Sequence, residues 1–286
     1  MIRQREEAFA KINLTLDVLS LRPDGYHEVD MVMQSVSLAD SLTITPRDET
    51  GLSLQSGRSD LPTDDGNLAM RAARCFLKAI GNEEQGLILE LHKRIPVCAG
   101  TAGGSSDAAA VLRALNRMFG QPFSQQQLQS LGEAIGSDVP YCVLGGTARA
   151  QGRGEVLTTL PSLPPCWIVL CKPDFGISTP ELFRRIDAVP AQYHPDTEGM
   201  LAALAAQDLS QIAQKLGNAF EAVLPQAAQN QVQAIKNRLK DCGALGACMS
   251  GTGPTVFGIF EQERAAREAV LALTQTYAEV FFTQPV

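Results

Sequence analysis

Histidine is scarce in this 286-residue chain: His27, His92 and His194 are its three, so a His-rich metal centre is not expected. The seven cysteines, at 75, 98, 142, 166, 171, 242 and 248, are scattered and never spaced Cys-x-x-Cys, which argues against a disulfide framework and a structural zinc site. Cys98 reads as a small packing residue. Positive charge is also in deficit. With 24 basic and 31 acidic side chains the formal charge is −7, the wrong sign for releasing counterions from a nucleic acid, although a local basic patch stays open. No apolar run approaches the ~20 residues of a membrane span, and the opening MIRQREEAFAKINLTLDV has no hydrophobic signal segment. These absences lead to the expectation of a cytoplasmic protein of enzyme size, with no nucleic-acid and no membrane partner.

What is present is ordinary globular composition, 45% hydrophobic and 19% charged, enough for one large or two medium domains. From Lys11 to Val18 the residues alternate, with Ile12, Leu14, Leu16 and Val18 apolar and Lys11, Asn13, Thr15 and Asp17 polar. This pattern predicts a half-buried strand, whose period of two sets Lys11 and Asn13 on one face about 7 Å apart. Asp24-Gly25 predicts a turn. Strands are expected over 41–45, 51–55 and 87–92, and helices over 67–80 and 105–119, with Ser124 and Gln127 as a capping box opening a third. Three prolines in Leu160-Pro161-Ser162-Leu163-Pro164-Pro165 oppose helix and central strand alike, so a domain boundary is expected there, dividing the chain into 1–160 and 161–286. Beyond it the pattern predicts a strand over 167–172, a helix from Thr179-Pro180, and Ala- and Gln-rich helices to about residue 240. The closing order is strand, Gly turn, strand, helix, strand over 246–249, 255–260, 262–274 and 277–283. It suits a ferredoxin-like split β-α-β half in an α+β protein. No internal repeat is convincing.

The segment Pro96-Val97-Cys98-Ala99-Gly100-Thr101-Ala102-Gly103-Gly104-Ser105-Ser106-Asp107-Ala108 runs small residues into a helix. Small residues let backbone N–H groups approach an anion, and the helix start adds unsatisfied donors and a positive dipole end. A Walker loop is excluded because no Lys stands in the segment, and a dinucleotide fingerprint because Ala102 stands where its second Gly belongs. On the bare pattern, a phosphate site and a plain Gly-rich turn with a Ser N-cap are both open.

Pro-x-x-x-Gly-x-x-Gly-Gly-Ser-Ser-Asp-Ala-Ala resembles the phosphate-binding signature of the GHMP kinase superfamily. Two further blocks resemble that family in order: Ala10-Lys11-Ile12-Asn13-Leu14, and Met249-Ser250-Gly251-Thr252-Gly253-Pro254-Thr255. Arg22-Pro23-Asp24-Gly25-Tyr26-His27 and Gly136-Ser137-Asp138-Val139-Pro140 narrow the resemblance to a subfamily acting on a cytidine-linked polyol. It extends over essentially the whole chain. The resemblance implies a GHMP kinase fold, with an N-terminal ribosomal-protein-S5-domain-2-like domain and a C-terminal ferredoxin-like domain with extra helices. It implies ATP-dependent phosphorylation of the 2-hydroxyl of 4-diphosphocytidyl-2-C-methyl-D-erythritol in non-mevalonate isoprenoid biosynthesis. Mg²⁺ is expected with ATP, without a protein ligand singled out.

In that reading Asp138 takes the hydroxyl proton and Lys11 stabilises the developing alkoxide and the transferred phosphoryl group. Taken singly, Lys11 also fits a solvated strand residue and Asp138 a helix N-cap. The resemblance puts Asn67 and Lys93 on the adenine side, Asn67 otherwise capping the helix after it. It adds Pro96, Gly100, Gly103, Gly104, Ser105 and Ser106 around the nucleotide phosphates. Tyr26 and Phe183 are implied to sandwich cytosine while His27 hydrogen-bonds it, with Asn13, Thr179 and Gly251 completing the acceptor side. The expected partner is a small-molecule substrate, and the expected state a monomer or homodimer. A kinase whose acceptor lacks cytidine, and a non-catalytic sensor of the same fold, are the competing readings. Lys11 with Asp138 argues against the sensor. The chain departs from the family where Thr101-Ala102 replaces the usual Leu-Gly, and where Thr252 replaces a common Ser. Ala102 costs little at negative φ and adds strain at positive φ.

Overall fold

The alternation that starts at Lys11 belongs to a longer strand, β1 (Gln4–Leu21), joined by a tight turn to β2 (His27–Arg47). Gly25 supplies a φ of 81° in that turn, and the Asp24 carboxylate accepts from the Tyr26 amide, as an Asp-Gly pair is suited to do. The computed structural model describes residues 2–189 and 193–286. The strand is not half-buried: Lys11, Asn13, Thr15 and Asp17 are buried along with their apolar neighbours. Their polar face is covered by groups that bond to it. The Val32 amide and the Thr197 hydroxyl both donate to Thr15 Oγ1, and His194 Nδ1 lies 2.8 Å from Asp17 Oδ1.

Both strands run through two compact units. The first comprises Met1–Ala10, Ala39–Val97 and Ala102–Gly145; the second comprises Lys11–Leu38, Cys98–Thr101 and Gly146–Val286. The boundary expected at 160/161 therefore falls inside the second unit.

In the first unit, β3 (Leu52–Ser56) runs parallel to β4 (Gly86–His92), which pairs antiparallel with the C-terminal half of β2. Helices α1 (Leu68–Ala79), α2 (Gly103–Met118), α3 (Gln125–Glu133) and α4 (Val139–Leu144) pack on one another. Buried alanines at 69, 72 and 73 on α1 and at 108–110 on α2 keep these helix surfaces flat, so their backbones approach closely. Phe76 fills the space beside them, its ring 5.4 Å from that of Phe123. Ser124 and Gln127 form the expected capping box.

In the second unit, β5 (Thr147–Gly152) pairs with the N-terminal half of β2, and β6 (Val156–Thr159) with β5. Next come β7 (Trp167–Lys172), α5 (Thr179–Asp187), α6 (Thr197–Ala205), α7 (Leu209–Gln214) and the two-residue β8 (Gly217–Asn218), parallel to β1. A short 3-10 helix (Ala219–Val223) leads to α8 (Gln226–Asp241), β9 (Gly246–Met249), β10 (Val256–Phe260), α9 (Glu263–Leu273) and β11 (Glu279–Thr283). The second sheet has the antiparallel order β11-β7-β10-β9, with α8 and α9 packed on it. That is the ferredoxin-like arrangement expected, with α5–α7 and β8 inserted after its first strand. All residues of β9 and β10 are buried, which explains their continuous apolar character. Among the described residues no helix is long and apolar enough to cross a membrane.

Candidate active site

In the second unit, the period-two placement of Lys11 and Asn13 becomes a direct bond: Lys11 Nζ donates to Asn13 Oδ1 at 2.7 Å. Lys11 is only 4% exposed, so it is not a solvated strand residue. The Gly251 amide donates to the same Asn13 oxygen at 2.9 Å. Gly251 sits in a turn after β9, with φ of 56°, and Gly253 follows at 78°. A Cβ on Gly100 would stand 2.1 Å from the Ser250 carbonyl, so a side chain there would push the two loops apart. The Ser250 hydroxyl donates to the Gly100 carbonyl at 2.9 Å, and the Lys11 amide donates to the Thr101 carbonyl at 3.2 Å. The lysine, the asparagine, the C-terminal turn and the Gly100 segment thus form one hydrogen-bonded cluster.

Also in this unit, His27 Nε2 lies 2.8 Å from Asp187 Oδ1, and the His27 ring stacks on Phe183 with centroids 4.5 Å apart. Phe220 meets Phe183 edge-on. Phe183 thus lies in an aromatic group with His27, whereas Tyr26 is 53% exposed and carries the Arg153 guanidinium over its ring at 5.1 Å. Thr179 Oγ1 lies 2.8 Å from Thr252 Oγ1, so the Thr252 hydroxyl ties α5 to the turn.

In the first unit, α2 begins at Gly103 directly after Ala102, and no side chain caps its first turn. Its leading amides therefore lack the side-chain acceptor that most helix starts possess. Gly104 is exposed, Gly103 and Ser105 are half-buried, and Pro96 is buried. The Ser106 hydroxyl is directed inward, donating to the Phe9 carbonyl at 2.5 Å. Asn67 caps α1: Oδ1 accepts from the Ala69 amide and Nδ2 donates to the Pro62 carbonyl. Asp138 occupies the N-cap position of α4 without making the capping bond, which answers the plain structural reading of that residue.

The Lys93 side chain is buried between two acidic side chains. Its ammonium donates to Asp40 Oδ2 and, at 2.7 Å, to Asp107 Oδ2. Asp40 Oδ1 accepts from the amides of Arg94 and Ile95. A Cβ on Gly103 would lie 3.3 Å from Lys93 Nζ, so the lysine packs directly beneath the start of α2. Sequence reasoning assigned nothing to Asp40 or Asp107. The available signal was an acidic residue within an apolar strand and another within the alanine face of α2.

Two costs collect at Thr101-Ala102, where the chain departs from the pattern it resembles. Ala102 adopts φ 57°, ψ 28°, the strained alternative, and the Thr101 hydroxyl is buried without a hydrogen-bond partner. Thr101→Val with Ala102→Gly is expected to raise stability by about 1–2 kcal/mol in urea unfolding, after allowing for the entropy of the added glycine. An unchanged midpoint would contradict this.

Burial pushes the Asp107 carboxyl up to about 8 from 3.8, against the opposing charge of Lys93 and with reinforcement from Asp40. The folded chain thus holds a proton on Asp107 that the unfolded chain releases near its ordinary value. The associated stability is complete at acid pH and is lost as pH rises through the folded value. Asp107→Asn should flatten the fall in melting temperature between about pH 4 and about pH 8. Superimposable profiles for variant and parent would count against the assignment.

The family model "GHMP kinases N terminal domain" matches residues 67–146, and "GHMP kinases C terminal" matches residues 200–279. A 4-diphosphocytidyl-2-C-methyl-D-erythritol kinase of Brevibacillus brevis is 46% identical over 96% of this chain and 94% of its own. One from Pelotomaculum thermopropionicum is also 46% identical, over 97% and 96%. The crystal structure of a 4-(cytidine 5'-diphospho)-2C-methyl-D-erythritol kinase superposes with a TM-score of 0.83 at 34% identity, covering 98% of both chains. A homoserine kinase from Cytophaga hutchinsonii shares the fold at 20% identity, with a TM-score of 0.74 over 98% of this chain and 94% of its own.

Proposed function

Because this chain belongs to the GHMP kinases, in the group of 4-diphosphocytidyl-2-C-methyl-D-erythritol kinases, we propose that it transfers the γ-phosphate of ATP to the 2-hydroxyl of 4-diphosphocytidyl-2-C-methyl-D-erythritol. The products are the 2-phosphate and ADP, within the non-mevalonate route to isoprenoid precursors. The observation that carries this reading is the buried Lys11, whose ammonium bonds Asn13 and whose amide bonds the Gly-rich loop.

In the reaction the 2-hydroxyl oxygen attacks the γ-phosphorus, the bond to the β,γ-bridging oxygen breaks, and Asp138 takes the hydroxyl proton. Lys11 faces the charge that develops on the transferred group. Gly100, Gly103, Gly104, Ser105 and Ser106 form the phosphate cradle, with Ser106 contributing its backbone because its hydroxyl is bonded to Phe9. Asn67, Lys93 and Pro96 shape the nucleotide side, the first by setting the start of α1 and the second by supporting α2. Tyr26, His27, Phe183, Thr179, Asn13 and Gly251 receive the acceptor, the rings taking the cytosine face.

Among the described residues no three His, Cys, Asp or Glu side chains gather as a metal site. Mg²⁺ would enter with the nucleotide and would supply neutralising charge at its phosphates. The same proposal has the enzyme working in the cytoplasm as a monomer or homodimer, and divides its domains at 160/161, between the two matched family segments.

The deciding experiment offers the purified protein ATP with this acceptor, or with mevalonate, homoserine or galactose, and follows ADP release. Turnover of the cytidine-linked acceptor is expected; turnover of another acceptor alone would overturn the assignment. Tyr26 is exposed enough for Tyr26→Ala to leave the fold intact, and that variant should raise the acceptor KM about tenfold or more with the ATP KM unchanged. An acceptor KM equal to the parent's would remove Tyr26 from the substrate site.

A further inference from the structure

The glycine turn that touches both Asn13 and the Gly100 segment is held from behind by one short stretch of chain. Asn218 is 1% exposed and uses every polar atom of its side chain. Its Oδ1 accepts from the Phe220 amide at 3.0 Å, capping the 3-10 helix, and its Nδ2 donates to the carbonyls of Met249 and Gly251, each at 2.8 Å. Glu221, from the same 3-10 helix, accepts the Met249 amide on Oε1 at 2.8 Å and the Lys236 ammonium on Oε2. One amide and two carbonyls of residues 249–251 are therefore fixed by two side chains.

On its other side the turn meets the groups assigned to the reaction. The Gly251 amide reaches Asn13 Oδ1, and that oxygen also receives Lys11 Nζ. A segment with two left-handed glycines has little conformational preference of its own and needs such external restraint. We infer that Asn218 and Glu221 are positioning residues for phosphoryl transfer: they clamp the 249–251 turn, whose Gly251 amide sets Asn13 and through it the Lys11 ammonium. The inference rests on the proposed kinase reading for its kinetic consequence, though not for its structural one. Displacements of about 1 Å in such constellations cost up to roughly a hundredfold in rate.

The test uses Asn218→Asp in the full chain. Aspartate keeps an oxygen for the Phe220 amide and turns the double donor into an acceptor facing two carbonyls. The expected result is a fall in kcat of about ten- to a hundredfold, with the KM for ATP and for the acceptor changed less than about threefold. In an Asn13→Ala background the same substitution should lower kcat by less than about threefold, because the relay is already cut. Amide hydrogen exchange over 249–255 should rise about tenfold in Asn218→Asp while the α1 segment stays unchanged. Asn218→Ser retains a capping oxygen without the double donor and replaces the aspartate variant should that one not fold. Equal losses of kcat with and without Asn13, or unaltered exchange over 249–255, would overturn the inference. Absence of turnover in the parent enzyme would instead reject the kinase reading, leaving the exchange measurement to decide the clamp.

Discussion

Asp138→Asn lowers kcat by about two to four orders of magnitude, the range for removal of a positioned general base, while the melting temperature stays close to the parent's. The asymmetry follows from local structure. Asp138 stands at the N-cap position of α4 without a capping bond from its side chain, and asparagine is as well suited to that position as aspartate. The substitution thus removes the proposed proton acceptor and leaves the helix start intact. Lys11→Ala should lose about two to three orders of magnitude in kcat, since it removes the cation proposed to face the developing charge. It should also cost stability, because Lys11 is buried and holds Asn13 Oδ1. Kinetics and urea unfolding measured on both variants separate the two effects. An Asp138→Asn enzyme as active as its parent would end the assignment of Asp138 as the base.

The second large effect concerns folding. Asp40→Ala is expected to destabilise the protein by about 3–5 kcal/mol, the usual result of breaking a buried ion pair from one side. Asp40 is fully buried and serves three donors at once: the Lys93 ammonium and the amides of Arg94 and Ile95. Its removal takes the acceptor from the Arg94 and Ile95 amides and leaves Lys93 with Asp107 as its remaining acidic neighbour. Against a total stability of about 5–15 kcal/mol this is a large share. Asp40→Asn, which keeps an oxygen for the two amides, should cost less. A loss below about 1 kcal/mol for the alanine variant would show that the triad contributes little to the fold.

Elements bounded by glycine or proline and buried on both faces were legible at the level of residues. β7 and β9 coincide with the expected spans 167–172 and 246–249, and the capping box at Ser124 marks the start of α3. The β1 pattern was harder. Its polar residues alternate as a solvent-facing set would, yet they are buried, because the groups that satisfy Thr15 and Asp17 come from as far away as Thr197 and His194. No local pattern carries that information. The β5–β6 hairpin and the first half of β2 escaped for a related reason: Asp30, Gln34 and Arg149 interrupt the apolar alternation and become explicable only when Arg149 is seen paired with Asp30 across the sheet.

Among the candidate site residues, the pairing of Lys11 with Asn13 was readable because a period of two carries direct geometric meaning. The Lys93 triad was not, since its members lie 53 and 14 residues from the lysine. The left-handed conformation of Ala102 was an open alternative that only the backbone could settle.

The most direct test is a crystal structure of the protein with the cytidine-linked acceptor and a non-hydrolysable ATP analogue. The account predicts the analogue's phosphates on the leading amides of α2, the Lys11 ammonium on the γ-phosphoryl oxygens, and an Asp138 oxygen within roughly 2.6–3.2 Å of the acceptor 2-hydroxyl, or joined to it through one water. A well-ordered ternary complex in which the Asp138 carboxylate and the Lys11 ammonium both point away from the γ-phosphorus and the hydroxyl would contradict it.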